Sequence, residues 1–537
     1  MRGLSFEVET EARPSAPERA DVACFVGFVD RRRVDGPDSA ALPLPDALRR
    51  WLEEQGWRRR LQDDEGLGLP IPVEDWVGFD RLFAWERRAV DPLGGLGSTW
   101  MGAAVRSFFA QGGRRCYVVA IRVPPPLAPP VKPWSLAKRR QALDLLIPGL
   151  DGGPRPAPHD RSDWRGVAHL FGLPDVSLLN LPDLCEMVSP RPSPAPFQPE
   201  TVEQEEVFLE CAEPAPEPPS DKRRAPVHVP RCDLPGYELW LQALNAVGRL
   251  LQHRLLRTVH LIAGIPLPAQ TPPSADPMLD PLAEMARDPM TALSEWGAFQ
   301  PIDQGGVASA FIQLAWPWVR TSGAVALPEG LEPPGPVLAG VLARNALTRG
   351  TWRSAAGATL GDVTGLEPAL SRAQMEAPAS QDRFPELGDH RALCDRVSLL
   401  VWTPAGLRLR GDRTPSRDEV YRHGPVSRLV SVILRAAEQV GLETTFEPSS
   451  PRTWGLLRTQ MAEVMLSLFH AGALRGEDAR AAFEVRCDRS TMTQHDLDSG
   501  RLTCEVRFQP SLPVDQIAVS LSVARGGQVR LAGLEEM

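Results

Sequence analysis

Ser450-Pro451-Arg452-Thr453-Trp454 opens, and Leu502-Thr503-Cys504-Glu505-Val506-Arg507-Phe508 closes, the stretch whose reading decides the fold. Ser450 can N-cap a helix with Pro451 at its first position, since the hydroxyl accepts an orphan N–H and proline has none to lose there. Trp454, Leu457, Met461, Val464 and Leu468 recur at helical spacing and predict one apolar face, and Gly472 ends the helix. At about 1.5 Å per residue this helix is roughly 30 Å long. Ala482-Phe483-Glu484-Val485-Arg486-Cys487-Asp488 follows as a strand, and Asp496-Leu497-Asp498-Ser499-Gly500 as a hairpin. Leu502, Cys504, Val506 and Phe508 alternate, as do Ile517, Val519, Leu521 and Val523, which predicts an antiparallel sheet packed under the helix.

Upstream, apolar strands alternate with amphipathic helices. Cys24–Val29, Arg115–Ile121, Val176–Leu181, Val259–Ala263, Phe311–Trp316 and Val397–Trp402 read as strands. Trp76–Trp85, Thr99–Gln111, Tyr237–Thr258, Pro289–Trp296, Val337–Thr348 and Val426–Gln439 read as helices, with Leu241, Leu244, Val247, Leu251 and Leu255 on one side of the third. This rhythm predicts an α/β fold, a mixed sheet flanked by helices, with the C-terminal antiparallel sheet and helix as a further unit. Prolines cluster over Pro124–Pro158 and Ser189–Pro235, which reads as extended loop or linker.

The 537 residues suggest roughly three or four domains or lobes, and 43% hydrophobic content suffices for packed cores. A net charge of −9 argues against binding driven by phosphate neutralisation, so no nucleic-acid partner is expected. The eight cysteines are dispersed, none at Cys-x-x-Cys spacing, which argues against zinc and thioredoxin-type sites and for folding in a reducing compartment. The N-terminus has no apolar signal region, and no run approaches the roughly 18 apolar residues of a membrane span.

Catalytic signatures are missing. There is no Gly-x-Gly-x-x-Gly after a strand, no Walker-type Gly-Lys-Ser/Thr, no Gly-x-Ser-x-Gly and no His-Glu-x-x-His. Gly94-Gly95-Leu96-Gly97-Ser98-Thr99 could cradle an anion at a helix N-terminus, but a turn capped by Ser98 or Thr99 explains it better. His495, Asp496 and Asp498 lack EF-hand spacing and read as a polar hairpin tip. Asp160, Asp163, Asp175 and His169 are the acids and imidazole that a hidden enzyme site would draw on. Trp51, Trp57, Trp76, Trp85, Trp100 and Trp164 lie among Leu and Phe, which favours core packing or subunit contact over a base-stacking platform. No catalytic, cofactor-binding or metal residue is assigned.

The order of motifs resembles that of contractile-tail sheath proteins. In the C-terminal unit the resemblance lies in Phe446-Glu447-Pro448, the helix, Gly472-Ala473-Leu474, Val485-Arg486-Cys487-Asp488, Asp496 to Gly500 and the closing strand. Further matches are Val105-Arg106-Ser107-Phe108-Phe109 through Gly112-Gly113 to Cys116-Tyr117-Val118-Val119, Pro174–Leu179, Ala315-Trp316-Pro317-Trp318, and Pro333–Gly340. They run in family order over nearly the whole chain.

The resemblance implies a structural subunit of the contractile sheath of a phage-tail-like injection system, without cofactor or catalysis. Its partners would be other sheath subunits in homo- or hetero-hexameric rings, an inner tube protein and baseplate components, with no membrane insertion. It would assemble in the bacterial cytoplasm, into a particle that can be released. Other readings are a non-polymerising cap or baseplate adaptor ring with the same fold, or an α/β enzyme. The expected divisions are 1–20 arm, 21–123 first part of the core, 124–160 Pro-rich loop, 161–365 central α/β domain with the excursion 189–235, 366–395 linker, 396–525 C-terminal domain and 526–537 tail.

Two departures from the family pattern bear on assembly. The Pro-Gly-Val-Tyr opening of the family's arm is missing, which leaves only Leu4, Phe6 and Val8 alternating in a candidate inter-subunit strand. Leu407 to Asp412 interrupts the family's Ala-Arg-Thr strand. Val519, Leu521 and Val523 form a second candidate inter-subunit strand. The helix bearing Trp454, Arg458, Met461 and Met465 is a candidate tube-facing surface; a helix that simply covers the sheet explains it equally well.

Overall fold

The computed structural model describes residues 20–33, 41–63, 66–89, 96–122, 134–190, 227–269, 292–294, 296–370, 395–444, 447–511, 517–524 and 528–532. Eight strands make the main sheet: β1 (Ala23–Phe28), β2 (Pro70–Val73), β3 (Cys116–Ile121), β4 (Leu178–Asn180), β5 (His260–Gly264), β6 (Ile312–Trp316), β7 (Ser398–Thr403) and β8 (Gly406–Leu409). Their order across the sheet is β8-β7-β6-β5-β4-β1-β3-β2. The six central strands are parallel, and β2 and β8 close the edges antiparallel.

A parallel sheet must be covered on both faces, which is why its strands are continuous apolar runs. Every residue of β1 is buried. Cys24, Val26 and Phe28 point into one hydrophobic layer, and Ala23 and Phe25 into the other. The first layer is completed by α1 (Leu136–Leu146), α2 (Leu184–Val188) and α3 (Leu234–Leu251), and the second by α4 (Gly335–Thr348) together with the helix Trp100–Ala110. Gly340 lets α4 cross that helix closely, since a Cβ there would lie 2.6 Å from the Phe108 carbonyl oxygen.

Three boundaries differ from expectation. The Pro-rich segment 124–160 contains α1, capped by Ser135 and anchored by buried Leu143 and Leu146; its prolines flank the helix without interrupting it. The helix expected to reach Thr258 stops at Leu251. Running to Thr258 would leave one residue to reverse the chain into β5, so 252–258 turns instead, leaving Leu255 46% exposed. Strands β7 and β8 belong to the main sheet, so the C-terminal unit begins after them rather than at 396.

That unit packs α5 (Gly424–Thr444) and α6 (Pro451–His470) with a four-stranded antiparallel sheet of β9 (Phe483–Arg486), β10 (Leu502–Phe508), β11 (Ile517–Ala524) and β12 (Gln528–Ala532), in that order. Ser450 caps α6 by accepting from the Thr453 N–H, and Pro451 opens it, as the sequence predicts. Leu457, Met461, Met465 and Leu468 join Cys504, Val506 and Phe508 in one core. No helix among the described residues is long and apolar enough to cross a membrane.

Candidate functional site

Open α/β sheets bind ligands outside the carboxyl ends of their strands, where the strand order reverses. Here that point lies between β1 and β4, because the chain goes from β1 to β3 on one side and returns to β4 on the other. The chain fills the crevice with its own residues. Asp183, fully buried, accepts a 2.9 Å hydrogen bond from the Phe28 N–H. Gly27 is obligatory beside it, since a Cβ would lie 2.2 Å from Asp183 Oδ2. One turn on, Glu186 accepts from Arg88 Nη2 at 2.5 Å and Trp100 Nε1 at 2.8 Å. The start of α4 closes the neighbouring strands: a Cβ on Gly335 would sit 2.8 Å from Asn180 Nδ2, which itself donates to the Ile262 carbonyl.

The sequence-derived catalytic candidates do not converge into a site. Asp160 accepts from the Ser162 N–H and hydroxyl, which hold its carboxyl below the usual range. Asp175 accepts from the Tyr117 hydroxyl at 3.0 Å. Asp163 lies exposed on a short 3-10 turn. His169 is buried against Trp57, 5.2 Å between ring centres, and burial lowers its pKa to about 3. Thr99 accepts from the Gly102 N–H and is itself buried, so the turn reading of Gly94–Thr99 fits the helix start; Gly94 and Gly95 lie outside the described residues. Asp496 forms a capping box with Thr493 and pairs with Arg501 at 3.3 Å, while Asp498 accepts from Gln494. Among the described residues no three His, Cys, Asp or Glu are placed to hold a metal ion.

Polar residues do converge where the C-terminal unit meets the main sheet. Asp412, buried just after β8, receives Arg428 of α5 through two bonds of 3.0 and 2.6 Å, Gln313 Nε2 of β6 at 3.0 Å and the Ala355 N–H at 2.9 Å. Burial pushes its carboxyl up, but Arg428 and these donors outweigh it and leave the pKa lowered. One turn pair along α5, Arg435 Nη2 donates to the carbonyls of Val176 at 2.6 Å and Thr258 at 3.4 Å, at the entrances of β4 and β5. Both arginines lie near buried His260, whose pKa falls to about 3, first by burial and then by their charge. A cavity of about 280 Å³ opens beside the joint, lined by Asp395, Arg410, Arg413 and His423 among others. The interruption Leu407–Asp412 thus supplies most of β8 and the central carboxylate of this joint. Sequence alone gave no sign of it, because the partners lie 16 and 99 residues away.

The assembly candidates are redistributed. Met461 and Met465 are 1% and 0% exposed, so they belong to the core and cannot meet a tube. The reason is geometric: both lie on the apolar face that covers the sheet. Arg458 is exposed and Trp454 half-buried, and the outer face of α6 adds Arg452, Leu456, Glu463 and Leu466. Leu521 and Val523 lie on β11, paired on one side with Cys504 and Leu502 and on the other with Leu531 and Val529. Val519 pairs with Val506. From Ser520 to Val523 the strand is paired within the chain on both sides, so Leu521 and Val523 offer no ladder to a neighbour, whereas Val519 has a partner on the β10 side alone among the described residues; the outer strands of this sheet are β9 and β12. Leu4, Phe6 and Val8 lie outside the described residues.

No family model and no curated protein matches the sequence. Solved structures do. A chain in the cryo-EM structure of the anti-feeding prophage baseplate in its contracted state superposes with a TM-score of 0.55 at 18% identity, covering 97% of each chain. The six-fold symmetrised baseplate of the same particle gives 0.51 at 18% identity over 96% of this chain and 98% of that one. Its helical sheath in the contracted state gives 0.51 at 18% over 96% and 97%. The correspondence therefore runs over nearly the whole of this chain, and the chain has the contractile tail sheath fold.

Proposed function

We propose that this chain is a structural subunit of the contractile sheath of a phage-tail-like injection system, which packs around an inner tube and drives its ejection by contraction. The end-to-end likeness to a helical sheath chain, covering 96% of this chain, carries the reading. The crevice filled by Asp183 and the start of α4 supports a mechanical part over an enzyme. The partners are further copies or paralogues in six-membered rings, an inner tube protein and the baseplate. Assembly takes place in the bacterial cytoplasm.

Co-expression with the inner tube protein, followed by electron microscopy, tests this. Striated cylinders are expected, and a protein that stays monomeric with tube and baseplate present overturns it. A second reading, a single ring at the baseplate, is favoured by the likeness to chains of two baseplate structures. Isolated rings that never stack would select it. Leu4, Phe6 and Val8 form the arm that pairs with neighbours, because edge pairing is how separate chains share a sheet. Replacing all three with Asp should abolish co-assembly, and normal assembly of that variant would sink the arm.

A further inference from the structure

Cys487 and Cys504 stand opposite one another across two antiparallel strands. The β9–β10 ladder pairs Phe483 with Phe508 through Arg486 with Glu505; carrying that register one residue past the end of β9 sets Cys487 beside Cys504, and a hydrogen bond links the two thiols. Both are free thiols, 3% and 1% exposed, in one hydrophobic core. The rung type follows from the ladder's start, where the Gln509 N–H donates to the Ala482 carbonyl and makes that pair a hydrogen-bonded one. Bonded and non-bonded rungs alternate, so five rungs along, Cys487 and Cys504 occupy a non-bonded rung, with Cα atoms about 4.5 Å apart and side chains closest. Disulfides span Cα separations of about 4.4–6.8 Å, so the strands need not move.

We propose that Cys487 and Cys504 are a covalent modification site: a reversible cross-strand disulfide formed by exchange with a low-molecular-weight disulfide such as oxidised glutathione. Cys487 is placed to react first, because it follows the outer strand β9 and precedes the exposed residues Asp488, Arg489 and Ser490. A hydrogen bond with Cys504 also holds its thiol below the usual range. The Cys487 thiolate attacks one glutathione sulfur, the glutathione S–S bond breaks, and one glutathione thiolate leaves. The Cys504 thiolate then attacks the Cys487 sulfur and expels the second glutathione. Two electrons pass to the glutathione pair, and the two cysteine protons end on its thiols. The bond would pin β9, the outer strand of the C-terminal sheet, in register against β10. The other buried thiols provide a contrast: Cys185 and Cys232 each donate to a backbone carbonyl, and no ladder sets them opposite a cysteine.

The test uses the full-length folded protein, held in oxidised or reduced glutathione, blocked with iodoacetamide and digested with trypsin. Cleavage after Arg486, Arg489, Arg501 and Arg507 leaves Cys487-Asp488-Arg489 and Leu502-Thr503-Cys504-Glu505-Val506-Arg507. The expected result is these two peptides joined, lighter by two hydrogens, in the oxidised sample and separated by dithiothreitol. The oxidised wild type should also melt several degrees above the reduced form, a difference absent from Cys504→Ala. Alkylated or singly glutathionylated Cys487 and Cys504 without the linked pair overturns the proposal, and so does a linked pair that forms only in denaturant.

Discussion

Glu332 is fully buried, accepting from the Ser107 hydroxyl and from the Thr321 hydroxyl at 2.5 Å, while its second oxygen finds no partner among the described residues. Burial raises its pKa from 4.5 to about 7, more than the two hydroxyls can lower it. The folded chain therefore holds this proton over a pH range where the unfolded chain has released it. Stability at this site falls as pH rises from 4.5 to about 7, by roughly 3 kcal/mol in total. Glu332→Gln keeps the acceptor and removes the charge. Urea unfolding at pH 5, 6, 7 and 8 should show the wild type losing stability over this range relative to the variant, and parallel profiles would refute the assignment. His260 acts in the opposite sense. With its folded pKa near 3 against 6.5, it contributes stability above pH 6.5 that is lost as pH falls towards 3.

At the scale of elements, α6 presents one face to the core and another outward, and the two should respond differently to substitution. Met465→Ala leaves a cavity in a fully buried position and should cost about 2–5 kcal/mol in denaturant unfolding. Ser450→Ala removes the cap of the same helix and should cost about 1 kcal/mol. Arg458→Glu combined with Leu456→Asp changes only exposed positions and should leave the midpoint nearly unchanged. If this face meets the tube, the double variant fails to decorate tubes in electron micrographs while melting normally. Decoration at wild-type level would leave α6 as a cover for its sheet. The sequence showed the cap, the start and the apolar stripe of this helix, since these are local patterns. It left open whether Met461 and Met465 face the sheet or a partner, because a periodic stripe fixes an apolar face without choosing between the two surfaces that could cover it.

Across the whole molecule, the joint between α5 and the main sheet decides whether the two parts behave as one. Arg428 and Asp412 form a buried pair, and removing one partner strands the other's charge in the interior. Arg428→Met should cost about 3–5 kcal/mol, and adding Asp412→Asn should recover much of it. If the pair couples the parts, calorimetry should split one transition into two in Arg428→Met, and a single transition with an unchanged midpoint would dismiss the joint.

By itself the sequence marked the strongly patterned elements and their order, and passed over others, among them the helix Leu136–Leu146 inside a proline-rich stretch and the edge strand Gly406–Leu409. Runs such as Cys24–Phe28 and the alternation of Leu502, Cys504, Val506 and Phe508 encode strands and their faces, and Ser450-Pro451 encodes a helix start. Those signals are local, set by backbone geometry and by which side of an element must leave water. Only the tertiary structure decided what meets across distance. Asp183 fills the crevice beside Phe28, 155 residues away, Asp412 gathers Arg428 and Gln313, and β11 is enclosed between two strands of its own chain. Such contacts depend on how the sheet folds back on itself, and a buried carboxylate carries no mark in sequence to distinguish it from a solvated one.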